Sequence, residues 1–515
     1  MKITKLLLGL CLLFVHCQPP IEKTTPPNII YILADDLGYG ELGIYGQQKI
    51  QTPHIDALAR SGMRFSQHYS GAPVCAPARY MFLTGKHSGH AHIRGNDEWR
   101  ERGEVWDYLK AFEDPNLEGQ RPIPNDTHTL GDQLQAAGYT TAIVGKWGLG
   151  APLTEGIPNL KGFDYFYGYN CQRQAHNLYP GHLWENQTKV LLDNALIAPH
   201  IKLDPNADPN DPASYAQFEQ NDYAPKLMHD KALNFIKENK EKPFFLYYAS
   251  PLPHLPLQAP KEYVARYQKI FEDDPPYTGD KGYFPNYSPR ATYAAMISYL
   301  DDQVGELVAL LKELDVYDKT LIVFTSDNGP TYTGGVDFDF FESAGALSNG
   351  YGRTKGFVYE GGIRVPFIAS WPGKIAPDSQ NDHPSTFYDM MSTFSEIAGV
   401  APPKDTDGIS FANALFQKPQ QQHEFLYWEF PSYTGQQAVR MGPWKGIRKN
   451  ILKGQLDIEL YNLDSDPQET QNLAYKYPDI VATLEAIMQR EHQPATIERF
   501  KMEALGDDYV DRSQV

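Results

Sequence analysis

Five short, continuous apolar runs bounded by chain breakers constrain the fold of this chain more than any other feature. The first, residues 28–34 (Asn-Ile-Ile-Tyr-Ile-Leu-Ala), lies between Pro27 and Asp35. A run of that length without alternation reads as a strand buried on both faces, the condition of a parallel sheet. Comparable runs stand at 140–144, 243–249, 320–325 and 365–370, with helical patterns between them at 54–60, 130–137 and 291–314. Strands alternating with helices predict an α/β fold, a large and mostly parallel sheet sandwiched by helices. Ligands of such open sheets bind beyond the carboxyl ends of the strands. There the sequence puts Asp35 and Asp36, Lys146, His254, and Asp327 with Asn328, each just past one of the first four runs.

Past residue 400 the pattern changes. Ala401-Pro402-Pro403 reads as a linker, residues 425–430, 437–441, 444–448 and 459–463 as short antiparallel strands, and 478–490 as a helix. The expectation is a catalytic domain over 27–400 and a smaller α+β subdomain with an antiparallel sheet over 401–515. Two stretches, 97–126 and 330–353, lack regular periodicity, and such loops in compact domains are usually functional or mobile. With 515 residues and 13% aromatics the chain can bury a large core. Acidic residues exceed basic ones, 64 to 46, giving a net charge of −18. That balance argues against a nucleic-acid partner, which needs a basic field, yet a few local cations still admit a small anionic substrate.

Lys2 and Lys5 precede an apolar run at 6–15, too short to span a bilayer as an ordinary helix, and Cys17 follows shortly after it. Residues 1–17 read as a leader whose form resembles a bacterial lipoprotein signal, cleaved before a lipidated Cys17; residues 18–26 are a linker. Simple secretion is the alternative. Either way the expected location is outside the cytoplasm: the periplasm or outer membrane of a bacterium, or secreted. Two of the four cysteines lie in the leader, so the mature chain has at most one disulfide, Cys75–Cys171. Cys171 reads as a small buried hydrophobe.

Around Cys75 the residue types carry chemistry. Pro73-Val-Cys-Ala-Pro-Ala-Arg-Tyr-Met-Phe-Leu-Thr-Gly85 sets Cys75, Pro77 and Arg79 at the start of a helical pattern. A helix N-terminus with a cation one turn along describes an activated thiolate or an anion site. Asp35, Asp36, Asp327 and Asn328 offer hard oxygens only, so calcium or magnesium suits them and zinc does not. A single such pair would more often be a helix cap or a turn. Arg79, Lys146 and Lys355 are candidate anion-binding cations. Lys146 directly follows a buried run, where a solvated role is disfavoured. His254 lies in Pro251-Leu-Pro-His-Leu-Pro256, whose prolines fix the backbone.

These motifs, in this order, resemble the type I sulfatases. Cys75-Ala-Pro-Ala-Arg79 is similar to the family's Cys-x-Pro-x-Arg signature. Residues 27–40 resemble its opening strand and aspartate pair, 138–146 its second signature, and Ser326-Asp-Asn-Gly329 its second metal pair. Lys355 with Glu360-Gly-Gly-Ile-Arg-Val-Pro366 resembles its lysine segment; Tyr461-Asn-Leu, Asp466-Pro and Asn472-Leu-Ala474 resemble its C-terminal signature. The resemblance implies an alkaline-phosphatase-like fold and calcium held by Asp35, Asp36, Asp327, Asn328 and residue 75. It also implies oxidation of Cys75 to Cα-formylglycine by a maturation enzyme that reads the motif. The implied reaction is sulfuric ester hydrolysis. The hydrated aldehyde, deprotonated by Asp327, attacks sulfur while Arg79, Lys146 and the metal bear the charge. His254, assisted by Lys355, protonates the leaving oxygen. The covalent sulfo-enzyme then expels sulfate and restores the aldehyde. Phosphatases and phosphodiesterases share the fold, but use Ser or Thr and two zinc ions with several His ligands, against Cys75 and Asn328 here. A catalytically inactive glycan-binding relative is the third reading.

One position departs from the family pattern. The second signature normally ends Gly-Lys-Trp-His, whereas this chain has Gly145-Lys-Trp-Gly148. The expectation is that a histidine of segment 171–184 performs the lost proton transfer, His176 ahead of His182, with Arg173 beside them as substrate-binding residues. That segment and the missing histidine resemble a subfamily acting on 4-O-sulfated galactose or N-acetylgalactosamine, so the expected substrate is a sulfated carbohydrate. Trp99, Trp106, Trp184, Phe338 and Phe340, in or near the irregular loops, offer faces suited to sugar rings.

Overall fold

The computed structural model describes residues 26–347 and 350–510, so the leader with Cys17 lies outside the described residues. Among the described residues eleven strands form one large sheet. They are β1 (Asn28–Ala34), β2 (Met63–Tyr69), β3 (Thr140–Lys146), β4 (Tyr165–Tyr169), β5 (His182–Glu185), β6 (Thr188–Leu191), β7 (Phe244–Ala249), β8 (Thr320–Ser326), β9 (Arg364–Ser370), β10 (Ser379–Asn381) and β11 (Ser385–Thr386). Their order is β10-β2-β9-β8-β1-β7-β3-β4-β5-β6, with β11 beside β2. At the centre β1 runs parallel to both β7 and β8; Ile30 pairs with Leu246 on one side and Ile322 on the other.

Every residue of β1 is buried, which is why its sequence shows no alternation. Its two faces still diverge. Ile30 and Ile32 join a core with Met228 of the helix Ala224–Asn239 and Leu300 of the helix Pro289–Glu313. Ile29, Tyr31 and Leu33 join a second core on the opposite face, under the helix Cys75–Thr84. Tyr31 stacks on Phe82 of that helix at 4.2 Å between ring centroids, fixing it against the sheet. The helix ends at Gly85, whose φ of +69° and N–H to Met81 O make a left-handed cap.

The fifth apolar run departs from the parallel expectation. β9 is antiparallel to both β8 and β2. Continuous burial cannot report strand direction, because a central strand is covered on both faces whichever way it runs. The reversal has a use: an antiparallel strand begins at the edge where its parallel neighbours end. The segment leading into β9, with Lys355 and Glu360, therefore reaches the same edge as Asp35, Lys146 and Asp327. β2, β4, β5 and β6 were not legible as apolar runs, since Met-Arg-Phe-Ser-Gln-His-Tyr and the Tyr/Gly-rich 165–169 mix polar and apolar residues.

A second sheet, β12 (Leu426–Phe430), β13 (Gln436–Met441), β14 (Trp444–Lys449) and β15 (Glu459–Asn462), is antiparallel throughout, and the helix Pro478–Glu491 covers it. Contacts with the large core continue past the expected break at 401. Phe411, Ala414 and Leu415 still pack into the large domain with Phe65 and Phe367. No helix among the described residues is long and apolar enough to cross a membrane.

The small sheet is bolted to the large domain by buried charge. Lys445 Nζ lies 2.9 Å from Glu360 Oε1 with neither side chain exposed, and Glu429 binds Arg94 at 2.7 Å and His492 Nδ1 at 2.8 Å. His492 Nε2 meets Asp507 Oδ1 at 3.2 Å. Burial alone would lower the pKa of His492, but its hydrogen bonds to Asp507 and Glu429 outweigh that and raise it to about 9. A raised histidine pKa contributes stability fully below the unfolded value of 6.5 and loses it as pH climbs through 9. The melting temperature of the wild type should accordingly fall toward that of His492→Asn between pH 6.5 and 9.5. A difference between the two proteins that is constant over this range would refute the assignment.

Candidate active site

Four parallel strands deliver their carboxyl ends to one place. β1 ends at Asp35 and Asp36, β3 at Lys146, and β8 at Asp327 and Asn328; the turn after β7 carries His254. The loop after β2 leads into the helix that Cys75 opens, and the segment before β9 brings Lys355. Asp36 sits at φ +67°, which turns its carboxylate back toward the strand ends. Its N–H donates to Asp327 Oδ1 at 3.1 Å, joining two of the acidic groups.

Apart from Lys355, whose side chain keeps 16% of its exposure, the cluster is almost wholly buried. Arg79 donates through Nε and Nη2 to Asp327 Oδ2 at 3.2 and 2.9 Å, and Nη2 lies 3.2 Å from Asp35 Oδ2. Lys146 Nζ donates to Asp35 Oδ2 and Lys355 Nζ to Asp36 Oδ2, both at 2.6 Å. Cys75 Sγ donates to Asp35 Oδ1 at 3.4 Å. His254 Nδ1 donates to Leu255 O at 2.6 Å, which turns Nε2 toward Asp36 Oδ2, 3.6 Å away. All six expected catalytic residues and the metal-ligand set thus meet in one cluster. Cys75 and Cys171 are both free and buried, and no disulfide joins them.

The electrostatics sort the groups. Burial works to raise the pKa of Asp35, but Lys146, His254, Arg79 and Lys355 outweigh it and hold the carboxyl well below the usual range. Asp327 moves the other way, to about 7, through burial and the Asp35 charge against the pull of Arg79. Burial, then Lys355 and Lys146, lower His254 to about 4. Burial and Asp35 push the Cys75 thiol far up. The activated-thiolate reading of the helix N-terminus is therefore disfavoured: a desolvated thiol facing a carboxylate is a poor nucleophile.

The site fits a hard divalent cation. Asn328 donates Nδ2–H to Asp36 Oδ1 at 2.8 Å, which leaves its Oδ1 a buried acceptor without a partner beside three carboxylates. A cation would satisfy that oxygen. The donor set is less purely oxygen than its sequence spacing implies. Ligand atoms of Asp35, Asp36, Cys75 and His254 all lie within 4.8 Å of one another.

Above Cys75 opens a pocket of about 300 Å³ lined in part by Lys146, His254, Gln172, Arg173, His176, His200, Asn96, Trp106 and Arg499. Arg173 spreads over Trp106 at 4.6 Å and donates to its backbone oxygen. His176 stacks on His254, 5.3 Å between centroids with planes 15° apart. His182 is not here: it starts β5, 3% exposed, with Nε2 on Glu118 Oε1 at 2.7 Å. Spacing alone could not separate the two histidines, because the chain reverses between them. Of the five aromatics in the loops only Trp106 lines this pocket; Trp184 also bonds Glu118, and Phe340 lies under Arg290. His200 and Asn96 had no sequence signal, since both come from irregular chain far from any motif.

Hydrogen-bond logic fixes the state of His176. The N–H of Tyr283 donates to His200 Nδ1 at 3.1 Å, so a neutral His200 carries its proton on Nε2. That proton goes to His176 Nδ1 at 2.9 Å, which leaves His176 its own proton on Nε2. Burial, with His254 and His200, keeps the ring neutral. Such a ring has no free lone pair, so the expected proton-transfer role does not fit; it is a donor.

Comparison with known proteins agrees with this geometry. Residues 27–400 match the sulfatase family, and residues 351–494 match the N-sulphoglucosamine sulphohydrolase C-terminal family. An N-acetylgalactosamine-6-O-sulfatase of Bacteroides thetaiotaomicron is 28% identical over 95% of this chain and 98% of its own. Bovine arylsulfatase A is 29% identical over 92% of this chain and 88% of its own. The solved structure of Ps i-CgsB superposes with a TM-score of 0.71 at 27% identity, covering 91% of this chain and 94% of that one. The match over 27–400 includes Cys75, Arg79, Lys146, His254, Lys355 and the aspartate cluster, and the chain belongs to the sulfatase family.

Proposed function

We propose that this enzyme removes sulfate from a sulfated carbohydrate, with calcium at the aspartate cluster and residue 75 acting as Cα-formylglycine. The observation that carries the reading is the pocket over Cys75, where the cations of the ester site meet Arg173, His176 and Trp106. Relatives named for N-acetylgalactosamine sulfate support the substrate class. The reading includes a maturation enzyme that oxidises Cys75, and export with attachment through a lipidated Cys17.

Cα-formylglycine at position 75 would supply a hydrated aldehyde as nucleophile, and a divalent cation held by Asp35, Asp36, Asp327 and Asn328 would supply positive charge that lowers its pKa and offsets the charge of the sulfate. The chain's own groups do the rest. Three carboxylates face Arg79, Lys146 and Lys355, so the cluster is formally balanced, and a divalent cation leaves it net positive toward an anionic ester. Asp327, whose proton affinity burial and the Asp35 charge raise, is placed to take and return a proton. His254 is neutral beside the lysines; an anionic ester acts against them, raises its proton affinity and equips Nε2 to protonate the leaving oxygen. His176, as an Nε2–H donor, holds a substrate oxygen. His176→Ala should raise KM about 10-fold with kcat nearly unchanged. A fall in kcat at constant KM would restore the proton-transfer role.

Segment 171–184 and Gly148 favour sulfate at O4 of galactose or N-acetylgalactosamine. The names of the curated relatives favour O6, and this is the second reading. Sulfate release from 4-O- and 6-O-sulfated N-acetylgalactosamine, measured beside a phosphate monoester, decides the matter. Preference for the 4-sulfate is expected; preference for the 6-sulfate overturns the position, and faster cleavage of the phosphate ester overturns the function.

A further inference from the structure

Gly148 leaves room beside the pocket, and another side chain has taken it. A Cβ built at Gly148 would lie 3.0 Å from Gln172 Cγ and 3.3 Å from its Cδ. Gln172 is 5% exposed and held at both ends. Its backbone N–H donates to Gln120 Oε1 at 3.1 Å, and its Nε2 donates to Asn96 Oδ1 at 3.0 Å. The orientation of the amide is not free. Asn96 Oδ1 also accepts the Ala76 N–H at 3.1 Å, so that oxygen is an acceptor and the Gln172 atom facing it is the nitrogen. Gln172 Oε1 is therefore the other end, a buried acceptor with no partner, on a side chain that lines the pocket over Cys75. A buried amide oxygen left without a donor is costly, and a ligand that brings one is favoured there.

A sulfate ester at neutral pH carries oxygens and no hydrogens on its sulfur, so an acceptor repels that end. The donor must come from the rest of the substrate. We propose that Gln172 is a specificity-determining residue that accepts a hydrogen bond from a hydroxyl or amide N–H of the sugar near the sulfated carbon. The inference rests on the carbohydrate reading above. It pairs Gln172 as acceptor with His176 as donor, the complement of a hydroxyl, which both gives and accepts. A substrate without such a donor, such as an aryl sulfate, leaves the Gln172 oxygen unpaired.

The test compares two substrates on the wild type, Gln172→Met and Gln172→Glu: 4-nitrophenyl sulfate, which has no donor, and the sulfated N-acetylgalactosamine preferred by the wild type. Methionine keeps the side-chain length and removes the acceptor. Glu keeps an acceptor but must stand beside Asn96 Oδ1, and it separates misfolding from lost recognition if Met does not fold. Gln172→Met should lose about 10- to 100-fold in kcat/KM on the sugar and Gln172→Glu, which still accepts, clearly less, while both stay within about 2-fold on the aryl ester. Equal losses on both substrates, or none on the sugar, overturn the proposal, because Gln172 would then serve the reacting centre or only the packing. The wild type supplies a check free of mutation: a monodeoxy series of the sulfated sugar should show one position at which removing the hydroxyl, or replacing the acetamide, costs a similar factor. No sensitive position overturns the proposal. A wild type that cleaves the aryl ester and none of the sulfated sugars overturns the carbohydrate reading itself, and this inference with it.

Discussion

Cys75→Ala should abolish sulfate release while the protein remains folded. The loss expected is on the order of 10⁴-fold or more, the scale of removing a nucleophile that works as one unit with its neighbours. The side chain carries little of the fold. Its recorded hydrogen bond is the weak thiol contact to Asp35, so truncation costs about 1–2 kcal/mol. Circular dichroism and melting should then match the wild type while turnover vanishes. The form of residue 75 in active enzyme is a second readout. Burial and Asp35 hold the plain thiol protonated, so active preparations should show the mass deficit of cysteine converted to an aldehyde, and preparations from a host lacking the maturation enzyme should be inactive. An alanine variant with wild-type turnover, or an active preparation whose Cys75 is entirely thiol, would end the formylglycine reading.

Removing the metal or one of its anchors should be nearly as severe. The informative substitution is Asp35→Asn. Either alanine or asparagine strips Lys146 and Arg79 of a buried counter-ion, at a cost of about 3–5 kcal/mol, but alanine also removes the accepting oxygen and leaves a cavity, so folding is to be checked by circular dichroism beside turnover. Asparagine keeps the shape and a neutral oxygen while removing the charge. A fall of at least about 10³-fold in kcat/KM is expected. Chelator treatment of the wild type should do the same, with calcium restoring activity and zinc alone failing. Because the cation binds the folded state, calcium should also raise the melting temperature, by the equivalent of about 2.7 kcal/mol at a hundredfold excess over Kd. Full activity after chelation would refute the metal requirement, and rescue by zinc alone would refute the calcium assignment in favour of a site that also uses His254, which crowds the same cluster.

Much of this architecture was legible because its physics is local. A strand covered on both faces must be continuously apolar, and the first four such runs mark the centre of the sheet with the residues that carry chemistry at their ends. The Cys75 helix declares itself by Pro77 in its first turn and Gly85 at its cap. Strand direction did not show, because burial is the same for β9 in either sense; that was settled by the connection from 353 to 364. The short strands β4 to β6 hold mixed residues and depend on neighbours for their shape. Packing across the break at Pro402 and Pro403 did not show for a related reason: the prolines interrupt the backbone locally, yet Phe411 and Leu415 still find their partners in the large core.

Residue identity and order along the chain were enough to name the family and to anticipate which side chains gather around Cys75, since each is a particular residue type at a strand end, at a helix start or just before a strand. The roles in the pocket depend instead on which loops fold over it. His176 and His182 stand six residues apart in equivalent company, and only chain reversal puts one against His254 and the other on Glu118. His176 is a donor because the Tyr283 N–H sets His200, which lies 83 residues before Tyr283 and 24 after His176. The gap at Gly148 was visible in the sequence as a missing histidine. That Gln172 fills it, with a buried amide oxygen left unpaired, follows from contacts between distant segments, which local sequence does not encode.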